Sequence, residues 1–107
     1  TEFKIGGIKM VKHIVFWKLA PKAEGQDKWE NARIIKKELE ALVGVIPGLI
    51  EAEVGLNENG GEYDAALTAL FENMEALKAY DVHPAHQKVR AFVTKVRLSR
   101  VAVDYTV

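Results

Sequence analysis

The segment Val11–Leu19, VKHIVFWKL, constrains this chain more than any other. It is β-branched and aromatic and has no breaker before Pro21, so it reads as a strand. Successive side chains of a strand point to opposite faces. One face carries Val11, His13, Val15, Trp17 and Leu19, and the other Lys12, Ile14, Phe16 and Lys18. Both faces are apolar at their centre. Such a strand needs cover on two sides, which implies a layered fold with one layer to spare for a partner.

The rest of the chain supplies one layer. From Asp27 to about Val43, Trp29, Ala32, Ile35, Leu39, Leu42 and Ile46 recur at helical spacing, and Gly44 can end the helix. Pro47-Gly48 makes a turn. Leu49–Leu56 alternates Ile50, Ala52, Val54 and Leu56 with Glu51 and Glu53, as a strand with one dry face does. The turn Asn57–Gly61 leads into a third strand, Tyr63–Phe71. Asn73 can cap a helix that runs to about Tyr80. His83-Pro84 breaks it, because the residue before a proline avoids the helical region, and Pro84 suits the first position of a new helical segment. That segment ends near Lys95 to Arg97, and a last strand alternates Val101, Val103, Tyr105 and Val107 with Arg100, Asp104 and Thr106.

The order is β-α-β-β-α-β. It predicts an α+β, ferredoxin-like domain with a four-stranded antiparallel sheet and helices on one face. The other face of the sheet, bearing either His13, Val15 and Trp17 or Ile14 and Phe16, would be apolar and bare. Two copies pressed sheet against sheet would cover it, so a homodimer is expected, with Val15 as a central inward position.

Composition excludes several function classes. Fifteen Lys and Arg balance fifteen Asp and Glu. A neutral chain offers no field for nucleic acid or an anionic membrane. The absence of cysteine removes disulfides, thiolate metal sites and a cysteine nucleophile, and fits a cytoplasmic setting. No apolar run nears the roughly 20 residues of a membrane span. Residues 1–9 read as an N-terminal extension or cloning remnant and residues 10–107 as the domain, because a strand follows Met10 at once. Proline directly after His83 spoils the His83/His86 spacing for a metal, so no metal site is expected. Gly60-Gly61 belongs to a turn rather than a phosphate loop, and no serine has nucleophile-elbow surroundings. No cofactor site is read.

Val11-Lys12-His13-Ile14-Val15, Ile46-Pro47-Gly48-Leu49, Tyr63-Asp64 to Phe71-Glu72, Tyr80-Asp81-Val82-His83-Pro84-Ala85-His86 and Val103-Asp104-Tyr105 occur in that order. Together they resemble the stress-responsive A/B barrel (Dabb) family from Met10 onward. The resemblance implies a dimeric α+β barrel, two ferredoxin-like sheets closing around an apolar interior. One plant member of the family closes a linear polyketide by aldol condensation without a cofactor. Its catalytic tyrosine and histidine fall on Tyr80 and His86, and a pocket histidine falls on His13. Where that cyclase has aromatic or bulkier polar pocket walls, this chain has Ile35, Leu39, Arg97 and Ala65.

On its helix face His86 falls with Val89, Val93 and Val96 and so points inward. It is either a general base or a satisfied group that locks the helix break. Tyr80 is either a donor to a developing enolate oxygen or a core ring with a wet tip. His13, Val15, Trp17, Leu67 and Val89 are expected around the barrel interior. Three readings follow. The first is a homodimer holding a small apolar or aromatic molecule in the barrel. The second is a cofactor-independent cyclase or other enolate-forming enzyme using the Tyr80/His86 pair. The third is a cofactor-free monooxygenase. The cavity discriminates between them: an enzyme needs an open space that Tyr80 and His86 both reach, whereas a structural dimer would fill it with Trp17, Leu67 and Val89.

Overall fold

The computed structural model describes residues 4–5 and 8–107. Of the expected N-terminal extension, residues 1–3 and 6–7 lie outside the described residues. Lys4–Ile5 and Ile8–Lys9 pair antiparallel, apart from the main sheet. The domain then runs β1 (Val11–Leu19), α1 (Lys28–Glu40), β2 (Leu49–Leu56), β3 (Ala65–Phe71), α2 (Met74–Val82), α3 (Pro84–Val96) and β4 (Arg97–Thr106). The sheet order is β2-β3-β1-β4 with every neighbour antiparallel, the ferredoxin-like arrangement with its second helix broken in two. No helix among the described residues is long and apolar enough to cross a membrane.

Short polar side chains set the helix starts. Asp27 Oδ1 accepts from Glu30 N at 2.8 Å, and Asn73 Oδ1 from Ala76 N at 2.8 Å. His83 closes α2 and opens α3, its Nδ1 accepting from Ala85 N at 3.0 Å, with Pro84 next in the chain. Trp29 departs from expectation. It is 39% exposed rather than part of the buried stripe. It stands in the first turn with the Lys28 ammonium 5.7 Å from its ring, and Asn31 takes the inward place. Asn31 is needed there because its amide donates to Ala23 O at 3.0 Å and accepts from Gln26 Nε2 at 3.1 Å. These bonds bind α1 to the short ribbon of Lys22–Ala23 with Gln26–Asp27.

The helices cover the face of the sheet that bears Val11, Val15, Trp17 and Leu19, with Leu67 and Phe71 beside them. The open face is therefore that of Ile14 and Phe16. Across from these, β4 presents Val103 and Val101, with Tyr105 opposite Lys12. Phe16, Val101, Val103 and Tyr105 are 41–61% exposed, a continuous apolar row. Val15 is buried under the helices and is not on the open face, which corrects its expected place.

The outer edge, β2, is blunted by α1. Lys36 Nζ donates to Val54 O at 2.7 Å, and Val54 N donates to Glu40 Oε2 at 2.9 Å, so the two side chains occupy groups that another strand would otherwise pair. The far end of β1 is held by buried Asp64, which accepts from Leu19 N at 2.8 Å and faces Lys28 Nζ at 3.3 Å. The turn into β2 depends on Gly48, whose φ is +84° and where a Cβ would lie 2.5 Å from Ala76 Cβ on α2. Gly48→Ala is expected to cost about 2–4 kcal/mol, read as a lowered denaturant midpoint; an unchanged midpoint would mean that the turn relaxes freely.

Candidate functional site

Tyr80 and His86 sit on different helices, on either side of the joint at His83-Pro84. Three residues before the joint, Tyr80 is only 3% exposed, and its ring packs edge-on against Phe71 with centroids 4.9 Å apart. Three residues after it, His86 turns back over the tyrosine, the two rings tilted by 31° with centroids 4.1 Å apart. His86 Nδ1 lies 3.3 Å from the Asp81 carbonyl, which also accepts from Gln87 Nε2 at 2.8 Å. A carbonyl can only accept, so Nδ1 carries the proton and the lone pair is on Nε2. His13 approaches Tyr80 from the sheet, with centroids 6.3 Å apart. It donates from Nδ1 to Asp104 Oδ1 at 2.5 Å, across the β1–β4 ladder in which the two residues are directly opposed.

These side chains border a cavity of about 520 Å³ between the sheet and the broken helix. Its floor is the row His13, Val15 and Trp17 with Leu67, and its roof includes Leu77, Val89 and Val93. The cavity exists because β4 runs out beyond the helices. No residue of β4 is buried, and Ala102, opposite Val15, leaves room where a larger side chain would fill it. All five residues expected around a ligand, His13, Val15, Trp17, Leu67 and Val89, line this space, as do Tyr80 and His86. Its position differs from expectation. It lies on the helix side of the sheet, within one subunit, and not between two sheets. His13, Val15 and Trp17 share the face of β1 that the helices cover, so they cannot face a second sheet. Of the replaced pocket walls, Leu39 and Arg97 line the cavity, whereas Ile35 and Ala65 pack in the core.

Burial sets the protonation states of the pair. Desolvation lowers the His86 pKa below its ordinary 6.5, against the opposing pull of the Asp81 carbonyl and carboxylate, so the imidazole is neutral at pH 7. Desolvation raises the Tyr80 phenol well above its ordinary range, with the nearby Arg100 charge opposing it, so the hydroxyl keeps its proton. Among the described residues no hydrogen bond joins that hydroxyl to the protein, and it is not a buried orphan either. A neutral base and an uncommitted donor thus stand side by side at an open space. His83 takes no part in the cavity wall, and no three potential metal ligands cluster among the described residues.

Sequence reasoning missed Asp104, Arg100 and Asp81. The alternation of β4 marks Arg100 and Asp104 as the wet row, which on an ordinary strand would face solvent. Here that row lies on the same side as Trp17 and His13. The available signal was a polar row on a strand whose neighbour in the sheet carries a histidine.

The sequence profile of the Stress responsive A/B Barrel Domain family, Dabb, matches residues 11–107. No curated protein matches the sequence. Among solved structures, a dimeric protein of unknown function with a ferredoxin-like fold from Bacteroides fragilis is similar, at 35% identity over 92% of this chain and 96% of its own, with a TM-score of 0.83. A dimeric ferredoxin-like protein of unknown function from Jannaschia sp. is 27% identical over 92% of this chain and 99% of its own, with a TM-score of 0.74. A hydroxynitrile lyase from Passiflora edulis, 15% identical over 92% and 94% with a TM-score of 0.73, shares the fold.

Proposed function

The chain belongs to the stress-responsive A/B barrel domain family, and on that premise we propose that it is a cytoplasmic homodimer whose subunits each bind a small, partly apolar carbonyl compound and form its enolate without a cofactor. The observation that carries this reading is the Tyr80–His86 pair, stacked at 4.1 Å on the wall of a cavity of about 520 Å³. That volume suits a small organic ligand. Trp17, Leu67 and Val89, which would fill the space in a purely structural dimer, instead line it. His86 Nε2 removes a proton from the carbon beside the carbonyl. The electron pair moves onto the carbonyl oxygen, which accepts a hydrogen bond from the Tyr80 hydroxyl. A methylene flanked by two carbonyls is acidic enough for a neutral imidazole, so the pair suffices. The dimer rests on the exposed row of Phe16, Val101, Val103 and Tyr105 and on the dimeric state of the 35% identical Bacteroides fragilis protein.

The test is deuterium incorporation into acetylacetone and benzoylacetone in heavy water, followed by proton NMR. The rate should exceed that of buffer. Because burial lowers the His86 pKa, the neutral base survives to lower pH than an ordinary imidazole, and activity is lost only as pH falls through that lowered value. The acid limb of the profile is therefore expected below pH 6.5. A limb at or above that value would point to another base, and no exchange above buffer would refute the enzymatic reading.

A further inference from the structure

The cavity is asymmetric in charge. Six of its lining side chains are ionic: Lys78, Asp81, Arg90, Arg97, Arg100 and Asp104. Both acids are committed. Asp81 Oδ1 lies 3.3 Å from Arg90 Nη1, and Asp104 holds His13. Lys78, Arg97 and Arg100 have no ionic or hydrogen-bonded side-chain partner among the described residues. Three cations thus border one small space with no free anion beside them, although the chain as a whole is neutral.

The strand register gives the two kinds of chemistry different backbone positions. On the cavity side of β4, Arg100 stands opposite Trp17, Ala102 opposite Val15 and Asp104 opposite His13. Asp104 and His13 mark the proton-transfer end, beside Tyr80. Arg100 is four residues away along the strand, its backbone roughly 13 Å off by strand rise, although its charge is still felt by the Tyr80 phenol. Arg97 enters at the same far end, at the C-terminus of α3, where β1 and β4 meet at an irregularity between Lys18 and Leu19. The helix end there contributes only about half a negative charge. Its Val93 and Val96 carbonyls already accept from Arg97 N and Ala20 N, so full positive charge prevails. Between the two ends the wall is apolar: Val15, Trp17, Leu67 and Val93.

We propose that the ligand is a keto-carboxylate: its carboxylate is gripped by Arg97 and Arg100, its apolar or aromatic body lies along Trp17 and Val15, and its carbonyl reaches Tyr80 and His86. The proposal rests on the reading of the cavity as a carbonyl-compound site and names the class it takes. A guanidinium fork matches a carboxylate in two parallel hydrogen bonds, and two such forks at one end of a narrow space fix the ligand's direction as well as its charge. Orientation is what the pair at the other end requires, since the acidic carbon must meet His86 rather than the wall. Lys78, on α2, adds charge without a fork geometry.

Two probes of nearly equal shape test this, 4-acetylbenzoate and its methyl ester. Affinity is measured by calorimetry, and deuterium uptake by acetylacetone is followed in parallel by NMR in heavy water. The carboxylate is expected to bind about tenfold more tightly than the ester. The preference should shrink as salt rises, and it should fall to near unity in the doubly substituted Arg97→Gln, Arg100→Gln protein. The salt series on the unsubstituted protein stands even where the double variant folds poorly. Equal affinity for the two probes, a preference retained by a folded double variant, or binding of neither probe overturns the proposal. A carboxylate preference in a protein that leaves acetylacetone exchange at the buffer rate would keep the anion site and sink the base-catalysis reading. Acetylacetone exchange above the buffer rate without any carboxylate preference would do the reverse.

Discussion

Replacing His86 with alanine is expected to lower the rate of proton exchange about 10²–10⁴-fold, while the dimer and its unfolding midpoint stay close to those of the parent. His86 is only partly buried, and its hydrogen bond to protein is a 3.3 Å contact from Nδ1 to a carbonyl that Gln87 also serves at 2.8 Å. Removing the ring therefore orphans no buried group. The helix break is secured by His83 and Pro84, so it survives without His86. Tyr80→Phe separates the hydroxyl from the ring. It keeps the contact with Phe71 and should slow exchange while sparing binding. Unchanged exchange in His86→Ala would remove the histidine from the mechanism. Unfolding would make it the lock of the joint, the structural role that the sequence also allowed.

Aspartate at Val103 and at Val15 is expected to have opposite consequences, although the two residues lie on neighbouring strands. Val103 is 61% exposed and pairs with Ile14 on the open face. In a twofold dimer built on that face each subunit would bring one unpaired carboxylate into the interface. Val103→Asp should then sediment as a folded monomer, because a buried charge without a partner is costly and a free subunit leaves it in water. Val15 is 1% exposed under the helices. Val15→Asp has no such escape and should unfold the subunit itself, at a cost of more than about 4 kcal/mol. A Val103→Asp protein that stays dimeric at micromolar concentration would show that the interface uses another surface. A stable, folded Val15→Asp monomer would mean that the two faces have been assigned the wrong way round.

The contrast shows where the sequence was legible. Element order could be read because each element has local signals: Asp27, Asn73 and His83 at helix starts, Gly48 at a turn, and β-branched alternation in the strands. The two faces of β1 could not be told apart, since each is apolar at its centre. What separates them is the set of residues opposite, and the register that brings Val101 and Val103 against Phe16 and Ile14 is not written in any local pattern. The candidate site divides in the same way. His86 could be placed inside from its spacing with Val89 and Val93. Tyr80 and His86 could be paired because they flank one break. Asp104 and Arg100 could not, because their role depends on β4 extending past the helices, where a polar row that would usually meet solvent becomes the wall of a cavity. Trp29 shows the converse error, a large apolar residue at helical spacing displaced by an asparagine that the neighbouring backbone needs.

The joint at His83-Pro84 has one more consequence, for the order in which the site is assembled. Tyr80 and His86 are six residues apart, so their contact closes a short loop and can form as soon as the two helical segments do. The His13–Asp104 contact spans 91 residues and joins the first strand of the sheet to the last. Closing the longer loop costs about 2.4 kcal/mol more in chain entropy than closing the shorter one, and its contacts must outweigh that cost before they stabilise anything. Base and donor are thus set by local topology, whereas Asp104 and the two arginines arrive only when β4 adds itself to β1. A chain whose last strand has detached keeps its Tyr80–His86 pair but has neither the far wall of the cavity nor the charge at its mouth, so strand docking alone can decide whether the pair has anything to act on.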